Sequence, residues 1–357
     1  MIDELFERAP YDLVKEEKKK LFEKALQNLS ERHYANCMEY KHMMNCFSFN
    51  VSKEHSMEEY PFLPVRLFKE YDLCSVPKED IVKTMTSSGT SGQRVSKIFL
   101  DKVTASNQTK TLVKITSDFI GKKRLPMLII DTKSVVKDRK LFSARGSGIL
   151  GFSMMGYDTT YALTEDMEID YELVEAFLEK HKEEDIFVFG FTFIIWQHLY
   201  KKLKADNKTL DLTHGILIHG GGFKKLIEEA VDNDTYKAEL KHVCGIDKVY
   251  NYYGMVEQTG SIFMECQCGR LHASNYSDII IRNPIDFSEC KIGETGLIEL
   301  ISLLPESYPG HCILSEDIGE ITGEDDCPCG RKGKTFLIHG RVKHAEVRGC
   351  SDTYERP

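Results

Sequence analysis

Apolar residues recur at three- and four-residue steps near the start of the chain, among lysines and glutamates. The residues that form this pattern are Leu13, Leu21, Phe22, Ala25, Leu26 and Leu29. Such spacing is typical of amphipathic helices that bury one face. We therefore predict a helical N-terminal segment over residues 1–60. We identify no candidate catalytic or binding residues in it.

From Pro61 onward, continuous apolar runs alternate with stretches of helical periodicity. The runs are Pro126–Asp131, Asp185–Gly190, Gly215–His219 and Lys248–Tyr253, and the helical stretches include Tyr171–His181 and Phe193–Leu203. Short continuous runs of this kind indicate strands buried on both faces, and their alternation with helices favours an α/β fold with a mostly parallel sheet. We predict that residues 61–260 form this α/β core.

The pattern changes after about residue 260, where shorter strands rich in isoleucine are separated by glycine and proline turns. Ser277–Arg282 and Gly296–Ser302 are the clearest of these strands. They predict a smaller, β-rich subdomain over residues 261–340. Residues 341–357 are then expected to form a hinge-like C-terminal tail.

Composition limits the partners of the chain. With 357 residues, 41% hydrophobic and 29% charged, the chain can bury a large core. The net charge of -9 argues against a nucleic-acid partner or a strongly anionic membrane. The start has no basic region followed by an apolar run, and the most apolar stretch, residues 186–196, is too short to cross a bilayer. We expect a cytoplasmic protein without a transmembrane segment.

A run of small hydroxylated and glycine residues follows Thr86. It comprises Ser87, Ser88, Gly89, Thr90, Ser91 and Gly92. Bare backbone amides and hydroxyl donors at this density suit a polyphosphate, although such runs are often exposed loops. It is not a Walker A loop, because Gly92 is followed by Gln93 and Arg94 where that motif requires a lysine and a hydroxyl residue.

Several predicted strands end in polar or glycine-rich groups, which is where open α/β sheets bind ligands. In chain order these groups are His219, Gly220, Gly221 and Gly222, then Tyr252, Tyr253, Gly254 and Glu257, then Glu316–Glu320, and finally Gly340–Lys343. Taken singly, each is also compatible with a turn, a core residue or a solvated surface. Their order is more informative than any one of them.

Two pairs of cysteines with the spacing Cys-x-Cys-Gly indicate a second kind of site. The candidate ligands are Cys266, Cys268, His272, Cys327 and Cys329. Eleven cysteines without a secretion signal imply a reducing compartment, where paired thiols suit structural Zn²⁺. The four ligands are either the four cysteines, or three of them with His272 in place of Cys268.

The order of the motifs resembles that of the adenylate-forming superfamily, and more closely that of acyl-protein synthetases of the LuxE type. Those enzymes serve the fatty acid reductase complex of bacterial bioluminescence. The resemblance runs from about Pro61 to Asp352. It rests on residues 87–92, 219–224, 253–258, 307–311, 316–319 and 346–352.

The resemblance implies that ATP and Mg²⁺ activate a fatty acid as acyl-AMP. The Ser/Thr/Gly run would hold the β- and γ-phosphates, with Arg94 and Lys97 adding positive charge, and Lys97 is a candidate catalytic residue with Glu257. Glu257 would bind Mg²⁺. Asp317 would accept from the ribose hydroxyls, Arg341 would reach ribose or phosphate, and Tyr252 or Tyr253 would stack on adenine.

A set of apolar side chains either lines a pocket for the acyl chain or belongs to the hydrophobic core. Its members are Phe152, Met154, Met155, Phe191, Phe193 and Trp196.

The end of the chain differs from most of the superfamily, whose members continue into a lid domain with a catalytic lysine. In the related coenzyme A ligases, the segment after the hinge lines the approach of the thiol, and Cys350 occupies that position here. We therefore predict that Cys350 is acylated, with Arg348 favouring its thiolate. The resemblance also implies delivery of the acyl group to an acyl reductase of the LuxC kind.

Two other functions remain open at the level of sequence. One is an acyl- or aryl-CoA ligase of the phenylacetate-CoA ligase type, which would transfer the acyl group to free coenzyme A. The other is a non-catalytic subunit that is stabilised by bound zinc and binds a nucleotide or an acyl group. Acylation of the protein itself distinguishes the first from our interpretation, and pyrophosphate exchange distinguishes the second.

Overall fold

Buried parallel strands form the core of one of the two units into which the chain divides. The computed structural model describes residues 2–87, 94–136, 144–223 and 228–342. Among these residues, one unit comprises Thr116–Tyr253, and the other comprises residues 2–115 with residues 254–342. We call them the parallel-sheet unit and the antiparallel-sheet unit.

The parallel-sheet unit has, within its described residues, a sheet with the strand order β5-β4-β6-β7-β8. All neighbouring strands run parallel. The strands are β4 (Leu125–Thr132), β5 (Gly156–Leu163), β6 (Ile186–Phe191), β7 (Gly215–Gly220) and β8 (Lys248–Tyr253). Every residue of β6 and β7 is buried, which explains their continuous apolar sequences.

Helices connect these strands. They are α6 (Ala144–Phe152), α7 (Tyr171–Lys180), α8 (Thr192–Ile194), α9 (Lys201–Ala205) and α10 (Asn233–Cys244), with a π-helical turn at Ile195–Tyr200 between α8 and α9. Aspartates begin two of them: Asp170 accepts from the Leu173 backbone N–H, and Asp232 accepts from that of Thr235. Such N-caps satisfy backbone donors that the first helical turn leaves without partners.

The antiparallel-sheet unit contains a sheet with the order β11-β12-β13-β14-β10-β9. Its strands are β9 (Phe263–Glu265), β10 (Leu271–His272), β11 (Ser277–Arg282), β12 (Gly296–Ser302), β13 (Cys312–Glu324) and β14 (Lys334–Arg341). The short strand β1 (Leu63–Pro64) pairs in parallel with β13. A separate antiparallel hairpin joins β2 (Ile81–Thr86) to β3 (Lys97–Asp101).

The helices near the N-terminus belong to the same unit. They are α1 (Ile2–Glu7), α2 (Lys15–Asn36), α3 (Met38–Cys46), α4 (Leu67–Glu70) and α5 (Lys102–Ile120), the last residues of which fall in the parallel-sheet unit. Apolar residues of α3, α4, the hairpin and β13 share one buried cluster, which includes Tyr40, Phe68, Ile98 and Ile313. The hairpin is thereby fixed against the core.

The predicted α/β class with a mostly parallel sheet is confirmed. The six predicted strands coincide with β4, β6, β7, β8, β11 and β12, and α2 carries the predicted N-terminal periodicity. The predicted division into segments 1–60, 61–260, 261–340 and 341–357 stays a prediction. Among the described residues, no helix is both long enough and apolar enough to cross a membrane.

Two stacked histidines lie in the core of the antiparallel-sheet unit. The ring centroids of His33 and His311 are 5.1 Å apart. His33 contacts Ser75 Oγ through Nδ1 at 2.8 Å and the Pro305 carbonyl through Nε2 at 3.0 Å. His311 Nε2 lies 3.1 Å from Ser30 Oγ. These contacts join α2 to the loop before β13, and burial favours the neutral rings.

These histidines predict loss of stability in mild acid. Burial lowers the pKa of His311 to about 3, and burial together with His311 lowers the pKa of His33 well below its ordinary value. The unfolded chain protonates first, near pH 6.5, so stability is complete above that pH and falls below it by up to about 1.4 kcal/mol per ring and pH unit. We expect the urea midpoint to decrease from about pH 7 to about pH 5.

The variant His311→Gln is expected to show a shallower pH dependence of its urea midpoint than the wild type, whatever its absolute stability. His42→Gln changes an exposed histidine and is the matched control, which should keep the wild-type slope. An unchanged slope in His311→Gln would contradict the assignment.

Candidate active site

In sequence the Ser/Thr/Gly run joins β2 to β3, the two strands of the hairpin. The Ser87 backbone N–H donates to the Ser96 carbonyl at 3.1 Å, and the Ser96 backbone N–H donates to Ser87 Oγ at 2.9 Å. We call this pair the hairpin neck. Ser88, Gly89, Thr90, Ser91 and Gly92 lie outside the described residues. Ser87, predicted to bind phosphate, therefore also fixes the two ends of the run.

Glu257 lies directly beside the hairpin neck. It occupies a short 3₁₀ turn, Val256–Gln258, and only 2% of its surface is exposed. The Ser96 hydroxyl donates to Glu257 Oε1 at 2.7 Å. A buried carboxylate needs such donors, since its charge is costly to remove from water. The structure thus brings together the base of the Ser/Thr/Gly run and the predicted Mg²⁺ ligand.

The segment 307–311 supports Glu257 from another side. The Tyr308 hydroxyl donates to the Glu257 carbonyl at 2.8 Å, and Gln258 Nε2 donates to the Gly310 carbonyl at 2.8 Å. A Cβ atom at Gly310 would lie 2.3 Å from the Tyr308 ring and 3.1 Å from the Glu257 carbonyl oxygen. Glycine is therefore required there, and this motif acts by positioning the turn that carries Glu257.

The predicted cations near the hairpin are exposed and already paired. Lys97 Nζ lies 3.1 Å from Asp72, and Arg94 lies 3.4 Å from Glu70. Exposed pairs of this kind contribute little to stability and separate easily. Lys97, predicted as catalytic, is thus held by a weak contact, whereas the unpredicted Ser96 makes the buried contact to Glu257. The sequence does contain one sign of this contact: Ser96 directly precedes β3, opposite Ser87, which directly follows β2.

Asp317 and Arg341 are neighbours on paired strands. They face each other in the register of β13 and β14, and Arg341 Nε donates to Asp317 Oδ1 at 2.9 Å. Glu316 lies 3.7 Å from the same guanidinium group. Although 24 residues separate them in sequence, the two predicted ribose-binding residues therefore form one charged group.

In the parallel-sheet unit, His219 is a buried positioning residue. Thr192 Oγ1 donates to the Gly220 carbonyl at 3.0 Å and lies 2.9 Å from His219 Nδ1. Since a hydroxyl has a single proton, Nδ1 carries the histidine proton and donates to Thr192. The ring also packs on Tyr236, with centroids 4.6 Å apart, and burial lowers the pKa of His219 to about 3. The neutral ring therefore fixes the end of β7. Sequence reasoning did not identify Thr192.

The three glycines after His219 have different reasons to be glycine. A Cβ at Gly220 would lie 2.6 Å from the Tyr252 ring, so Gly220 makes room for that ring. Gly221 and Gly222 adopt positive φ values of 84° and 62°, and no atom of the described residues would lie within 4 Å of a Cβ at Gly222. A positive φ favours glycine at both positions, and their contact with a nucleotide stays a prediction.

Tyr252 packs within the core of the same unit. Its ring centroid is 5.1 Å from that of Phe152, which in turn stacks on Phe189 at 4.4 Å. Because successive side chains of a strand point to opposite faces, Tyr253 faces away from this cluster. The next residue, Gly254, begins the second segment of the antiparallel-sheet unit, where a Cβ would lie 3.2 Å from Ile262.

The residues suggested for an acyl pocket lie mostly in the core. Phe152, Met155, Phe191 and Trp196 are buried, whereas Met154 is exposed. Trp196 stacks on Tyr200, with ring centroids 4.2 Å apart, within the π-helical turn. Phe152 and Trp196 thus have aromatic packing partners, and a role of these residues in acyl binding stays a prediction.

A group of sulfur and nitrogen donors lies at the β9–β10 and β13–β14 connections. Cys266, His272, Cys327 and Cys329 place their ligand atoms within 4.8 Å of one another. Cys268 is exposed and does not belong to this group, although its backbone N–H donates to Cys266 Sγ at 3.3 Å. Of the two predicted ligand sets, the structure thus assembles the one that contains His272.

The distances within this group fit a tetrahedral ion. The Cys266 and Cys327 sulfur atoms are 3.7 Å apart, and Cys329 Sγ is 3.4 Å from His272 Nε2. Thiolates bound at about 2.3 Å to a tetrahedral Zn²⁺ are separated by about 3.8 Å. Burial lowers the pKa of His272 to about 4, so its imidazole is neutral and able to bind a metal.

Cys350, the predicted nucleophile, lies outside the described residues. Among the described cysteines, burial raises the pKa of the Cys37, Cys244, Cys290 and Cys312 thiols. A thiol of raised pKa is a poor nucleophile near neutral pH. These four are therefore structural residues.

Comparison with known proteins agrees with the motifs. A family model described as "Acyl-protein synthetase, LuxE" matches residues 1–356. The chain is 24% identical over 363 residues to a long-chain-fatty-acid–luciferin-component ligase of Aliivibrio fischeri, covering 98% of this chain and 92% of the relative. A protein of the same name from Vibrio harveyi is 23% identical over 365 residues, covering 98% and 91%.

A solved structure shows the fold in common. The chain superposes on an open conformation of 2-hydroxyisobutyryl-CoA ligase, in complex with 2-HIB-AMP and CoA, with a TM-score of 0.71. The match covers 95% of this chain and 72% of the ligase at 14% identity. The match of the family model over nearly the whole sequence settles the relationship. The chain belongs to the LuxE family of acyl-protein synthetases.

Proposed function

We propose that this chain uses ATP to convert a long-chain fatty acid to acyl-AMP, and then transfers the acyl group to its own Cys350 as a thioester. The family makes the chain an AMP-forming ligase. In the first step a carboxylate oxygen attacks the α-phosphate and pyrophosphate leaves. In the second, the Cys350 thiolate attacks the acyl carbonyl and AMP leaves. A partner acyl reductase is the proposed acceptor of the thioester.

The contact between Ser96 and Glu257 is the observation that carries this proposal. It joins a buried carboxylate to the neck of a Ser/Thr/Gly run suited to phosphates. Mg²⁺ bound with phosphates needs only one or two protein carboxylates, and Glu257 fits this requirement. When bound, the cation neutralises charge on the phosphates. The role of Ser96 is to hold the Glu257 carboxylate in one orientation.

The remaining nucleotide contacts are assigned to residues whose surroundings suit them. We assign adenine stacking to Tyr253, since the Tyr252 ring packs against Gly220 and Phe152. Ribose hydroxyls would donate to Asp317, which Arg341 orients. Gly221 and Gly222 offer backbone without side chains, and His219 with Thr192 fixes the strand that precedes them.

We also propose that Cys266, His272, Cys327 and Cys329 bind a structural Zn²⁺. The donor set, its burial and its spacing support this assignment. With four protein ligands no coordination position remains for substrate, so the metal acts on stability. It would connect the turn after β9 to the turn before β14.

Acylation of Cys350 predicts a specific covalent adduct. After incubation with ATP, Mg²⁺ and a fatty acid, we expect intact mass spectrometry to show one acyl group, removed by neutral hydroxylamine. Cys350→Ser should lose this labile adduct and still exchange pyrophosphate into ATP, because the adenylation step needs no thiol. Cys46→Ser and Cys268→Ser, which change exposed cysteines, are the controls and should keep the adduct.

The same experiment separates the alternative functions. Formation of acyl-CoA from free coenzyme A at an equal rate in wild type and Cys350→Ser would overturn self-acylation in favour of a CoA ligase. An absence of pyrophosphate exchange with every acid tested, across a series of chain lengths, would favour a non-catalytic subunit.

The Ser96–Glu257 contact predicts a coupled effect on Mg²⁺-dependent exchange. Glu257→Gln removes the charge that binds the cation and should lower pyrophosphate exchange at least about a hundredfold. Ser96→Ala loses a charge-assisted hydrogen bond, so about a tenfold decrease with a higher Mg²⁺ requirement is expected. The double variant should resemble Glu257→Gln alone, since the two residues act through one carboxylate.

Ser302→Ala is the matched control for this comparison. It removes another buried serine hydroxyl of the same unit, bonded to Ser261 at 2.5 Å, and makes no contact with Glu257. Its Mg²⁺ requirement should equal that of the wild type. Additive effects of Ser96→Ala and Glu257→Gln would argue against the positioning role.

The zinc assignment predicts a difference between neighbouring cysteines. After dialysis against metal-free buffer, the protein should retain about one Zn²⁺ per chain, as measured by inductively coupled plasma mass spectrometry. Cys327→Ser should lose the metal and melt at a lower temperature. Cys268→Ser, two residues from a ligand in sequence, should keep both the metal and the melting temperature. Loss of zinc from Cys268→Ser would instead favour the four-cysteine set.

A further inference from the structure

A cavity of about 400 Å³ lies in the antiparallel-sheet unit, at the start of α2. Volumes of this size are typical of small-molecule sites. None of the residues assigned above to nucleotide, metal or acyl binding lines it. It is lined by five lysines, Lys15, Lys18, Lys19, Lys291 and Lys334. Five lysines around one cavity are unexpected in a chain whose net charge is -9.

The first turns of α2 place positive charge where a helix disfavours it. Lys15, Lys18 and Lys19 are the first, fourth and fifth residues of the helix, and Val14 at the N-cap supplies no side-chain acceptor. The N-terminal end of a helix dipole is positive, so lysines there are unfavourable and anions are favoured. Glu16 and Glu17 lie in the same turn and Asp325 accepts from the Lys15 backbone N–H, so the dipole is already partly offset, and the buried lysines account for the attraction of an anion.

Lys18 is the buried member of the group. Only 3% of its surface is exposed. Its Nζ forms an ion pair with Asp278 Oδ2 at 3.2 Å and lies 5.3 Å from the centroid of the Phe22 ring, and among the described residues it has no second acceptor. An ammonium group has three donors, and burying donors without acceptors is costly. Lys18 thus presents donors to the cavity that a ligand would satisfy.

Lys334 shares the same carboxylate. Its Nζ lies 3.3 Å from Asp278 Oδ1 and donates to the Ile279 carbonyl at 2.8 Å. Two ammonium groups therefore face one carboxylate at the inner end of the cavity. Nearer the surface, Lys15 is paired with Glu324 at 2.8 Å and Lys19 approaches Glu58 at 3.9 Å.

The charge around the whole cavity shows the same imbalance. The lining carboxylates are Asp278, Glu58, Glu289 and Glu324, one fewer than the lysines. At the inner end a single carboxylate, Asp278, faces both Lys18 and Lys334, whereas Lys15 and Lys19 nearer the surface have carboxylate partners of their own. Buried charge of one sign is normally neutralised by a partner, and an anionic ligand would supply it.

We propose that this cavity binds a phosphate group, whose oxygens accept hydrogen bonds from Lys18 and Lys334. Lysine ammoniums are compact point charges that suit a tetrahedral oxyanion approached from several directions. No arginine lines the cavity to favour a planar carboxylate through two parallel hydrogen bonds. The volume also admits a phosphate ester, so the source is either free phosphate or a small phosphorylated molecule.

Calorimetric titration of the full chain tests this site, with inorganic phosphate in one arm and glycerol 3-phosphate in the other, at constant ionic strength. A saturating non-hydrolysable ATP analogue occupies the proposed nucleotide site. We expect binding of about one phosphate per chain in at least one arm. Tighter binding of the ester identifies a phosphorylated molecule as the ligand, and equal or tighter binding of inorganic phosphate identifies the free ion.

Variants locate the binding. Lys18→Met and Lys334→Met should each weaken phosphate binding at least tenfold. Lys20→Met makes the same change at an exposed position of α2 and should bind as the wild type does. If one of the two variants fails to fold, phosphate binding by the other still tests the site. Absence of binding in both arms up to about 10 mM, or equal affinity in Lys18→Met and Lys20→Met, would overturn the proposal.

Discussion

The satisfaction of buried polar groups is the constraint that holds the antiparallel-sheet unit together. Its helices and its main sheet come from distant parts of the sequence, and they meet through polar contacts that are buried or partly buried. Asn275 accepts from the Leu13 backbone N–H, Tyr276 donates to the Leu5 carbonyl, and His33 Nε2 contacts the Pro305 carbonyl. Each pairing satisfies a donor or acceptor that would otherwise be buried without a partner. Each also fixes the position of a helix or loop relative to the sheet, because a hydrogen bond requires one particular partner and apolar packing does not.

The same constraint shapes the candidate active site. A carboxylate as buried as that of Glu257 persists only with donors around it, and Ser96 is such a donor. Because Ser96 also bonds to Ser87 in the hairpin neck, the neck and the carboxylate beside it share one support. In the parallel-sheet unit, Thr192 has the corresponding role, since one hydroxyl holds both the His219 ring and the Gly220 carbonyl. In each place a small hydroxylated residue supports groups proposed to bind the nucleotide and is not itself proposed to contact it.

This explains how far the sequence predicts the molecule. The strands of the parallel sheet were predictable because burial on both faces leaves a continuous apolar run, as in Gly215–His219. The order of motifs identified the family and the residues proposed for the site. Sequence could not pair Ser96 with Glu257, since 161 residues separate them and serine is common in turns. Nor could it choose between Cys268 and His272, because the choice depends on how β9, β10 and β14 pair. Nor does the sequence show that Lys18 is buried against Asp278, because 260 residues separate them and Asp278 lies on β11.

The connection from Cys327 to Lys334 links two of the proposed sites. It supplies two sulfur atoms to the metal group and ends, at the start of β14, with one of the two lysines at the inner end of the cavity. Gly333, with φ of 88°, is required there, because a Cβ would lie 2.5 Å from the Ala273 carbonyl and 3.4 Å from Lys18 Nζ. The Gly333 backbone N–H donates to Asp325, whose carboxylate also accepts from the first backbone N–H of α2. A metal bound at this connection would therefore restrict the position of Lys334 relative to Lys18, so the cluster of thiols and the cluster of lysines are parts of one support for the start of α2.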